Sequence, residues 1–292
     1  MFIIDNYALA VFFCFITMIC WGSWANTQKL ASQKWPFQLF YWDYTFGILL
    51  ITVFFAFTFG SVGDFGRSFL DDLEQAKMSN LTSAFIGGII FNFANLLLVI
   101  AIEIAGMAIA FPIGIGIALV LGVFTNYIAQ PEGDPLVLII GVTLVALAIF
   151  IDGIAYKRIL QKTNENPLKG ILFSAFAGVA MGFFYKYVAV SMASDFVIPE
   201  AGKLTPYSAL VIFSIGIIIS SFLFNTINMY RPFSGEKVSF SDYFAMGNTK
   251  LHLIGILGGI IWGIGMSFNI IASDQAGPAI AYGLGQGATL VA

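Results

Sequence analysis

Long apolar runs alternate with short polar stretches along this chain. A helix that crosses the hydrocarbon core of a bilayer needs about 20 residues, and several of the runs reach that length. One polar loop, from Ser61 to Asn80, is longer than the other predicted connections. The pattern predicts nine membrane-spanning helices, at Tyr7–Thr27, Phe37–Gly60, Leu81–Ile104, Met107–Gln130, Pro135–Arg158, Lys169–Ala193, Leu204–Tyr230, Lys250–Ser273 and Pro278–Ala292.

The chain repeats itself at a spacing of 171 residues. Residues 87–121 align without a gap on residues 258–292, and about 15 of roughly 35 pairs are identical. Each copy contains two apolar runs joined at a short turn, Glu103–Gly106 in the first copy and Asp274–Gly277 in the second. The copies are predicted helices 3–4 and 8–9, so an odd number of helices separates equivalent points. The second copy must therefore enter the membrane with the opposite orientation.

This arrangement predicts an all-α polytopic membrane protein, an inverted repeat of five plus five transmembrane helices. Residues 1–160 form the first five-helix repeat, and residues 161–292 form the second, which is incomplete at its C-terminal end. The counterpart of Gly122–Arg158 would follow Ala292. About nine of the ten helices are thus present, and we expect the natural chain to continue with one further span.

Composition and charge agree with a membrane protein. Apolar residues make up 59% of the chain and charged residues 10%, too little charge for a soluble domain. The net charge of −3 gives no reason to expect a nucleic-acid partner. Lys and Arg are concentrated in the loops on one side, which predicts that this side is cytoplasmic and the N-terminus lies outside an inner (plasma) membrane. That side carries Lys29, Lys34, Lys157, Arg158, Lys162, Lys169, Arg231, Lys237 and Lys250, against Arg67, Lys77 and Lys203 on the other.

The sequence contains no catalytic or cofactor motif. His252 is the one histidine and is predicted at the headgroup interface, while Cys14 and Cys20 are interpreted as buried thiols on a different helix. No metal site can be assembled from these residues, and no phosphate-binding loop is present. We therefore expect no enzyme activity, no catalytic residue, no metal and no cofactor.

Polar residues inside the spans are the candidates for function, because such groups are costly in a bilayer. Asp43 is predicted about 10 Å from the cytoplasmic face, and Lys186 about the same distance from the outer face. Asp43 is a candidate coupling residue for protons or another cation; in the alternative interpretation its carboxylate only fixes a helix. The residues proposed to bind substrate are Trp21, Trp24, Asn92, Asn95, Lys186, Trp262, Asn269 and Gln286.

Several of these candidates have a second interpretation that the residues leave open. Trp21 and Trp24 lie three positions apart and can stack on a sugar or a flat heterocycle, or can belong to an interfacial aromatic belt. The asparagines can bind substrate or only join helices to one another. The glycines at Gly255, Gly259 and Gly263 recur every four residues, which favours close packing against a neighbouring helix.

The chain resembles the drug/metabolite transporter superfamily. The resemblance lies in Trp21–Gly22–Ser23–Trp24, in Asp43–Tyr44 and in the two repeated hairpins, and it is closest to the branch of sugar-uptake (glucose/rhamnose) and ureide permeases. It implies ten helices in two inverted repeats around a central cavity that opens alternately to either side. Uptake of small polar solutes, coupled to ions or protons, is the activity that the resemblance implies.

The expected function is therefore secondary active transport of a small neutral polar solute, such as a sugar or a ureide-like heterocycle. One alternative is a drug or metabolite efflux permease, and another is a membrane scaffold or receptor that transports nothing. The expected partners are the small-molecule substrate, the lipid bilayer and a proton or cation. The sequence does not choose among substrates.

Overall fold

The computed structural model describes residues 1–31, 34–159 and 167–287, which form helices joined by loops. The first half contains α1 (Tyr7–Ser23), α2 (Ala25–Ala31), α3 (Phe37–Phe57), α4 (Phe69–Gln75), α5 (Met78–Ala105), α6 (Met107–Ala129) and α7 (Pro135–Ile159). The second half contains α8 (Pro167–Ala189), α9 (Pro206–Tyr230), α10 (Phe240–Met246), α11 (Thr249–Ala276) and α12 (Pro278–Gly285).

Seven of these elements are long and apolar enough to cross a bilayer. They are α1 with α2, α3, α5, α6, α8, α9 and α11, and they confirm seven of the nine predicted spans. The predicted fifth span is α7, a helix with an apolar stretch at Pro135–Ile151. The predicted ninth span begins as α12 at Pro278, and its part beyond residue 287 lies outside the described residues, as does much of the basic link between the two halves.

Two short surface helices differ from the prediction. The stretch from Ser61 to Asn80 was predicted as loop, but it contains α4 and the first residues of α5. A second short helix, α10, lies between α9 and α11. Both begin after a serine whose hydroxyl donates to the aspartate three positions later, Ser68 to Asp71 and Ser239 to Asp242. A side chain that caps its own helix in this way stabilises even a helix of two turns.

The core forms where helices of the two halves cross. Glycines occupy both crossings, since a Cβ on Gly259 of α11 would lie 2.9 Å from Gly47 Cα on α3. A Cβ on Gly88 of α5 would lie 3.1 Å from Gly216 Cα on α9. The predicted role of the Gly255–Gly263 stripe in helix packing is thereby confirmed, and its partner is α3.

Loops gather at two opposite faces of the bundle. We call the face with the loop before α3 the Trp35 face; it also carries the α5–α6 turn and α10. The other, the Arg67 face, carries α4 and the loop between α8 and α9. Trp35 packs against Tyr243 of α10, and Arg67 contacts Pro199 and Lys203 in the α8–α9 loop.

Candidate functional site

A cavity with about 420 Å³ of space lies in the middle of the bundle. Ligand sites of small molecules typically have volumes of about 300–1,000 Å³ and combine apolar walls with a few polar groups. Among the described residues, no side chain that lines the cavity is ionisable. The lining consists of Trp21, Trp24, Phe91, Asn95, Leu98, Phe111, Ile115, Met181, Phe184, Trp262 and Gln286.

One wall of the cavity is built from parallel and tilted aromatic rings. The rings of Trp21 and Trp262 are nearly parallel, with centroids 5.9 Å apart and planes inclined by 10°. Phe91 lies against the other part of Trp262, with a centroid distance of 4.3 Å. The Trp21 indole fits between two glycines, because a Cβ on Gly265 would lie 2.9 Å from its Cδ1 and one on Gly285 2.8 Å from its Cζ3. The position of the indole is thus determined by close contact on both sides.

The polar groups of the cavity are two primary amides. Asn95 donates from Nδ2 to the hydroxyl of Tyr41 at 3.3 Å, and that hydroxyl donates onward to Oδ1 of Asn92 at 2.7 Å. This chain orients the Asn95 amide and leaves its carbonyl oxygen without a hydrogen bond to any described residue. Gln286 is buried and forms no hydrogen bond to a described residue. Both amides are therefore available to a ligand as donors or acceptors.

The structure brings five of the eight predicted substrate residues to this cavity, namely Trp21, Trp24, Asn95, Trp262 and Gln286. The other three lie elsewhere. Asn92 is one layer behind, where its Nδ2 donates to Ser220 Oγ at 2.8 Å. Asn269 is buried and donates from Nδ2 to the carbonyl of Ala281 at 2.7 Å. Lys186 is partly exposed and does not line the cavity.

A wider space leads from the cavity towards the Trp35 face. It holds about 970 Å³ and is lined by Ala25, Gln28, Lys29, Trp35, Pro36, Phe37, Ile102, Glu103 and Met107. Its lining residues follow those of the central cavity along the same helices. Ala25 follows Trp24, Ile102 lies one turn beyond Leu98 on α5, and Met107 lies one turn before Phe111 on α6. We call this space the vestibule.

The Arg67 face is closed by a network of polar contacts. Nε of Arg67 donates to Oδ1 of the fully buried Asp72 at 2.9 Å, while its Nη atoms donate to the carbonyls of Pro199 and Lys203 at 2.6 and 2.7 Å. The other Asp72 oxygen accepts from the backbone N–H of Thr205 at 2.7 Å. The space beneath this network measures only about 240 Å³. The central cavity is therefore more accessible from the Trp35 face.

Asp43, the predicted coupling residue, lies in a cluster that the sequence did not reveal. It is 3% exposed, and Nδ1 of His252 lies 3.1 and 3.0 Å from its two carboxyl oxygens. The hydroxyl of Tyr243 on α10 donates to Oδ1 of the same carboxyl. Burial and the adjacent Asp43 carboxylate both raise the pKa of Tyr243, so its hydroxyl remains a donor at neutral pH.

Comparison with known proteins gives a consistent family match. The family model described as Ureide permease matches residues 145–291. Among curated proteins of Arabidopsis thaliana, Ureide permease 3 is 24% identical over 313 residues, which cover 96% of this chain and 89% of that protein. Ureide permease 1 is 21% identical, with 96% of this chain and 86% of that protein covered. Ureide permease 2 is 20% identical at the same coverage.

Proposed function

Because this chain belongs to the ureide permease family, we propose that it transports a small neutral ureide-like solute across the membrane by way of the central cavity. The family and the seven apolar helices make it a multi-pass membrane transporter and not an enzyme. The observation that carries the choice of solute is the lining of the cavity, which pairs aromatic rings with two amides and no charge among the described residues.

Each part of that lining suits a ureide ring. A flat ring can stack on the Trp21 or Trp262 indole, and its carbonyl and N–H groups can pair with the amides of Asn95 and Gln286. A charged substrate would leave its charge without a partner in a buried cavity, which is costly. A sugar could also stack on an indole and is the second candidate solute. Amphipathic cations, the substrates expected of an efflux permease, are disfavoured by the same lining.

The proposed mechanism is alternating access between two inverted repeats. It is supported by the two helix crossings, which exchange when residue numbers are shifted between the halves. Gly88 of α5 corresponds to Gly259 of α11 in the repeat, and the partners of these residues are Gly216 on α9 and Gly47 on α3. The short helices agree too, because α4 at Phe69–Gln75 and α10 at Phe240–Met246 stand 171 residues apart at both ends. A solved complex in which only one face opens in every state would contradict this mechanism.

We further propose that the Trp35 face is cytoplasmic, in an inner (plasma) membrane, with the N-terminus outside. The support is the excess of Lys and Arg in the loops of that face. Asp43 then lies near the cytoplasmic end of the vestibule and can exchange a proton with that side.

Replacing Trp21 with alanine tests the cavity. Stacking of a flat ring on an aromatic side chain is worth about 1–3 kcal/mol, so we expect the apparent affinity to fall by roughly 5- to 150-fold. The measurement is uptake of radiolabelled allantoin, a commercially available ureide, into proteoliposomes that contain the purified protein. Trp42→Ala is the matched control, since Trp42 packs against Phe222 and Phe240, away from the cavity. Equal uptake by both variants would contradict the site, and competition by glucose but not by hydantoin would favour the sugar.

Replacing Asp43 with asparagine tests coupling. The substitution is nearly isosteric but removes the group that can bind and release a proton, so we expect loss of accumulation against a gradient while exchange of internal for external allantoin continues. The two activities are measured in the same proteoliposomes, with and without an imposed pH gradient. Asp64→Asn, at an exposed position on the Arg67 face, is the control. Accumulation by Asp43→Asn at the wild-type rate would show that the carboxylate is structural.

A further inference from the structure

The Asp43 carboxyl reaches water through one neighbouring side chain. Its own side chain is 4% exposed, whereas the His252 side chain that contacts both of its oxygens is 26% exposed. His252 lies in the first turn of α11, at the edge of the Trp35 face. Its Nε2 is on the side of Gly247, the residue that ends α10, because a Cβ on Gly247 would lie 2.3 Å from that nitrogen. The imidazole thus has one nitrogen on the carboxyl and one towards the surface.

We propose that His252 is the proton-entry residue of this transporter, which relays a proton from the aqueous Trp35 face to the Asp43 carboxyl while Tyr243 holds that carboxyl in place. The proposal rests on the coupling role of Asp43 proposed above. It adds two positioning and relay residues from a second and a third element, α11 and α10, to a carboxyl on α3.

The relay balances without any rotation of the ring. In the starting state Nδ1–H of neutral His252 donates to the Asp43 carboxylate, and Nε2 carries a lone pair. A proton from water binds Nε2, and the Nδ1 proton moves to a carboxyl oxygen. The products are a neutral carboxylic acid that donates to Nδ1 and an imidazole protonated at Nε2. One proton enters and one is delivered, and the reverse sequence releases it.

The ionisable groups around the carboxyl limit the alternatives. Among the described residues, those that contact it are His252 on α11 and Tyr243 on α10, and the loop before α3 adds only the indole of Trp35. Asp242 is turned towards the cap of its own helix, where its Oδ2 accepts from the backbone N–H of Ser239 at 2.7 Å. Tyr243 keeps its proton because of its raised pKa, which leaves His252 as the contact that can exchange one with water.

The relay is placed where it can affect the route of the solute. Trp35 lines the vestibule, and its ring packs edge-on against His252 at 5.0 Å and against Tyr243 at 5.6 Å. Protonation of the carboxyl turns the charge-assisted hydrogen bond from Tyr243 into a neutral one, which is roughly half as strong. The contact of α10 with the vestibule wall therefore weakens when the proton arrives.

The test separates the relay from the hydrogen bond that orients the carboxyl. In His252→Asn the side-chain amide can still donate from near the position of Nδ1, but it has no second nitrogen. A pH jump between about pH 8 and pH 5 is applied to the purified protein, and the infrared band of the protonated Asp43 carboxyl is followed in time. The band is assigned by its loss in Asp43→Asn. We expect the variant to acquire the band at least about tenfold more slowly than the wild type, with proton-driven allantoin accumulation slowed to a similar extent and exchange retained.

Further variants keep the result interpretable. If His252→Asn does not yield folded protein, His252→Ala is measured with and without added imidazole, which can enter at this partly exposed position and should restore the rate. Tyr243→Phe should shift the carboxyl band, because one hydrogen bond is lost, while Tyr230→Phe at an exposed position on the same face should not. Wild-type band kinetics in the histidine variant, or no rescue by imidazole, would overturn the relay. Absence of allantoin transport by the wild type would instead reject the proposed solute and leave the infrared result standing.

Discussion

Replacing Gly259 with valine is expected to prevent the chain from reaching its folded state. A Cβ at this position would lie 1.9 Å from the carbonyl oxygen of Tyr44 and 2.9 Å from Gly47 Cα, and backbone atoms on both sides of a helix crossing cannot move aside as a flexible side chain can. Overpacking typically costs about 1–3 kcal/mol and occasionally more, and two added methyl groups at a backbone contact belong to the costly cases. Protein stabilities of about 5–15 kcal/mol leave little margin for this loss.

Size-exclusion chromatography and thermal unfolding of the detergent-purified protein measure the effect. The matched control is Gly141→Val on α7, where an added Cβ meets no atom within 4 Å. We expect the control to elute as the wild type does and Gly259→Val to aggregate or to unfold at a much lower temperature. A Gly259→Val protein with wild-type elution and unfolding would show that the α3–α11 crossing is looser than described.

Replacing Asp72 with alanine is expected to cause the largest loss of stability outside the membrane spans. The buried carboxylate accepts hydrogen bonds from Arg67 and from the backbone N–H of Thr205, the residue just before α9. Its removal leaves a guanidinium and a buried N–H without partners, and breaking a buried pair in this way costs about 3–5 kcal/mol. The lowered midpoint of thermal unfolding measures the loss.

Asp71→Ala is the control for this substitution, because Asp71 is the preceding residue of the same helix and is exposed. Its carboxylate accepts only from Ser68 among the hydrogen bonds described, so we expect a small change. The double variant Arg67→Met with Asp72→Leu should recover part of the loss, since neither charge is then left unpaired. Equal destabilisation by Asp71→Ala and Asp72→Ala would mean that the network on the Arg67 face contributes little.

The spans could be predicted from sequence because one physical rule determines them. A backbone in lipid must satisfy its own hydrogen bonds, so an apolar run of sufficient length becomes a helix whatever its neighbours are. The predicted starts at Tyr7, Phe37, Met107, Pro135 and Pro278 are the observed ones. The short helices α4 and α10 escaped this rule because seven residues cannot span a bilayer. The signal that could have revealed them is Ser68–Asp71 and Ser239–Asp242, two capping sequences 171 residues apart.

The site was predicted less completely, and the reason is geometric. Counting residues gives the depth of a side chain in the membrane but not the direction in which its helix face points. Trp21, Asn95 and Gln286 turned out to share one cavity, whereas Lys186 at a predicted depth similar to Gln286 does not line it. The facing depends on which helices touch, and glycines such as Gly265 and Gly285 decide that only once the partner helix is known.

The contact between Asp43 and His252 was beyond the sequence for a related reason. The two residues are 209 positions apart, and the prediction placed one within the membrane and the other at its surface. Their meeting needs the α3–α11 crossing, in which a Cβ on Gly255 would lie 2.5 Å from the Asp43 Cβ. Tyr243 reaches the same carboxyl only because the segment after α9 folds into a helix.

The crossings between halves have a consequence for how the protein is made. Helices leave the ribosome in chain order, so α3 and α5 enter the bilayer before their partners α11 and α9 exist. During that interval Asp43 and Asn92 lack the groups that later satisfy them, His252 and Ser220. The nascent first half must therefore be sheltered by the insertion machinery or remain near the surface until more than two hundred residues have been synthesised. Biogenesis, more than the stability of the finished bundle, is the stage at which this chain is most exposed to failure.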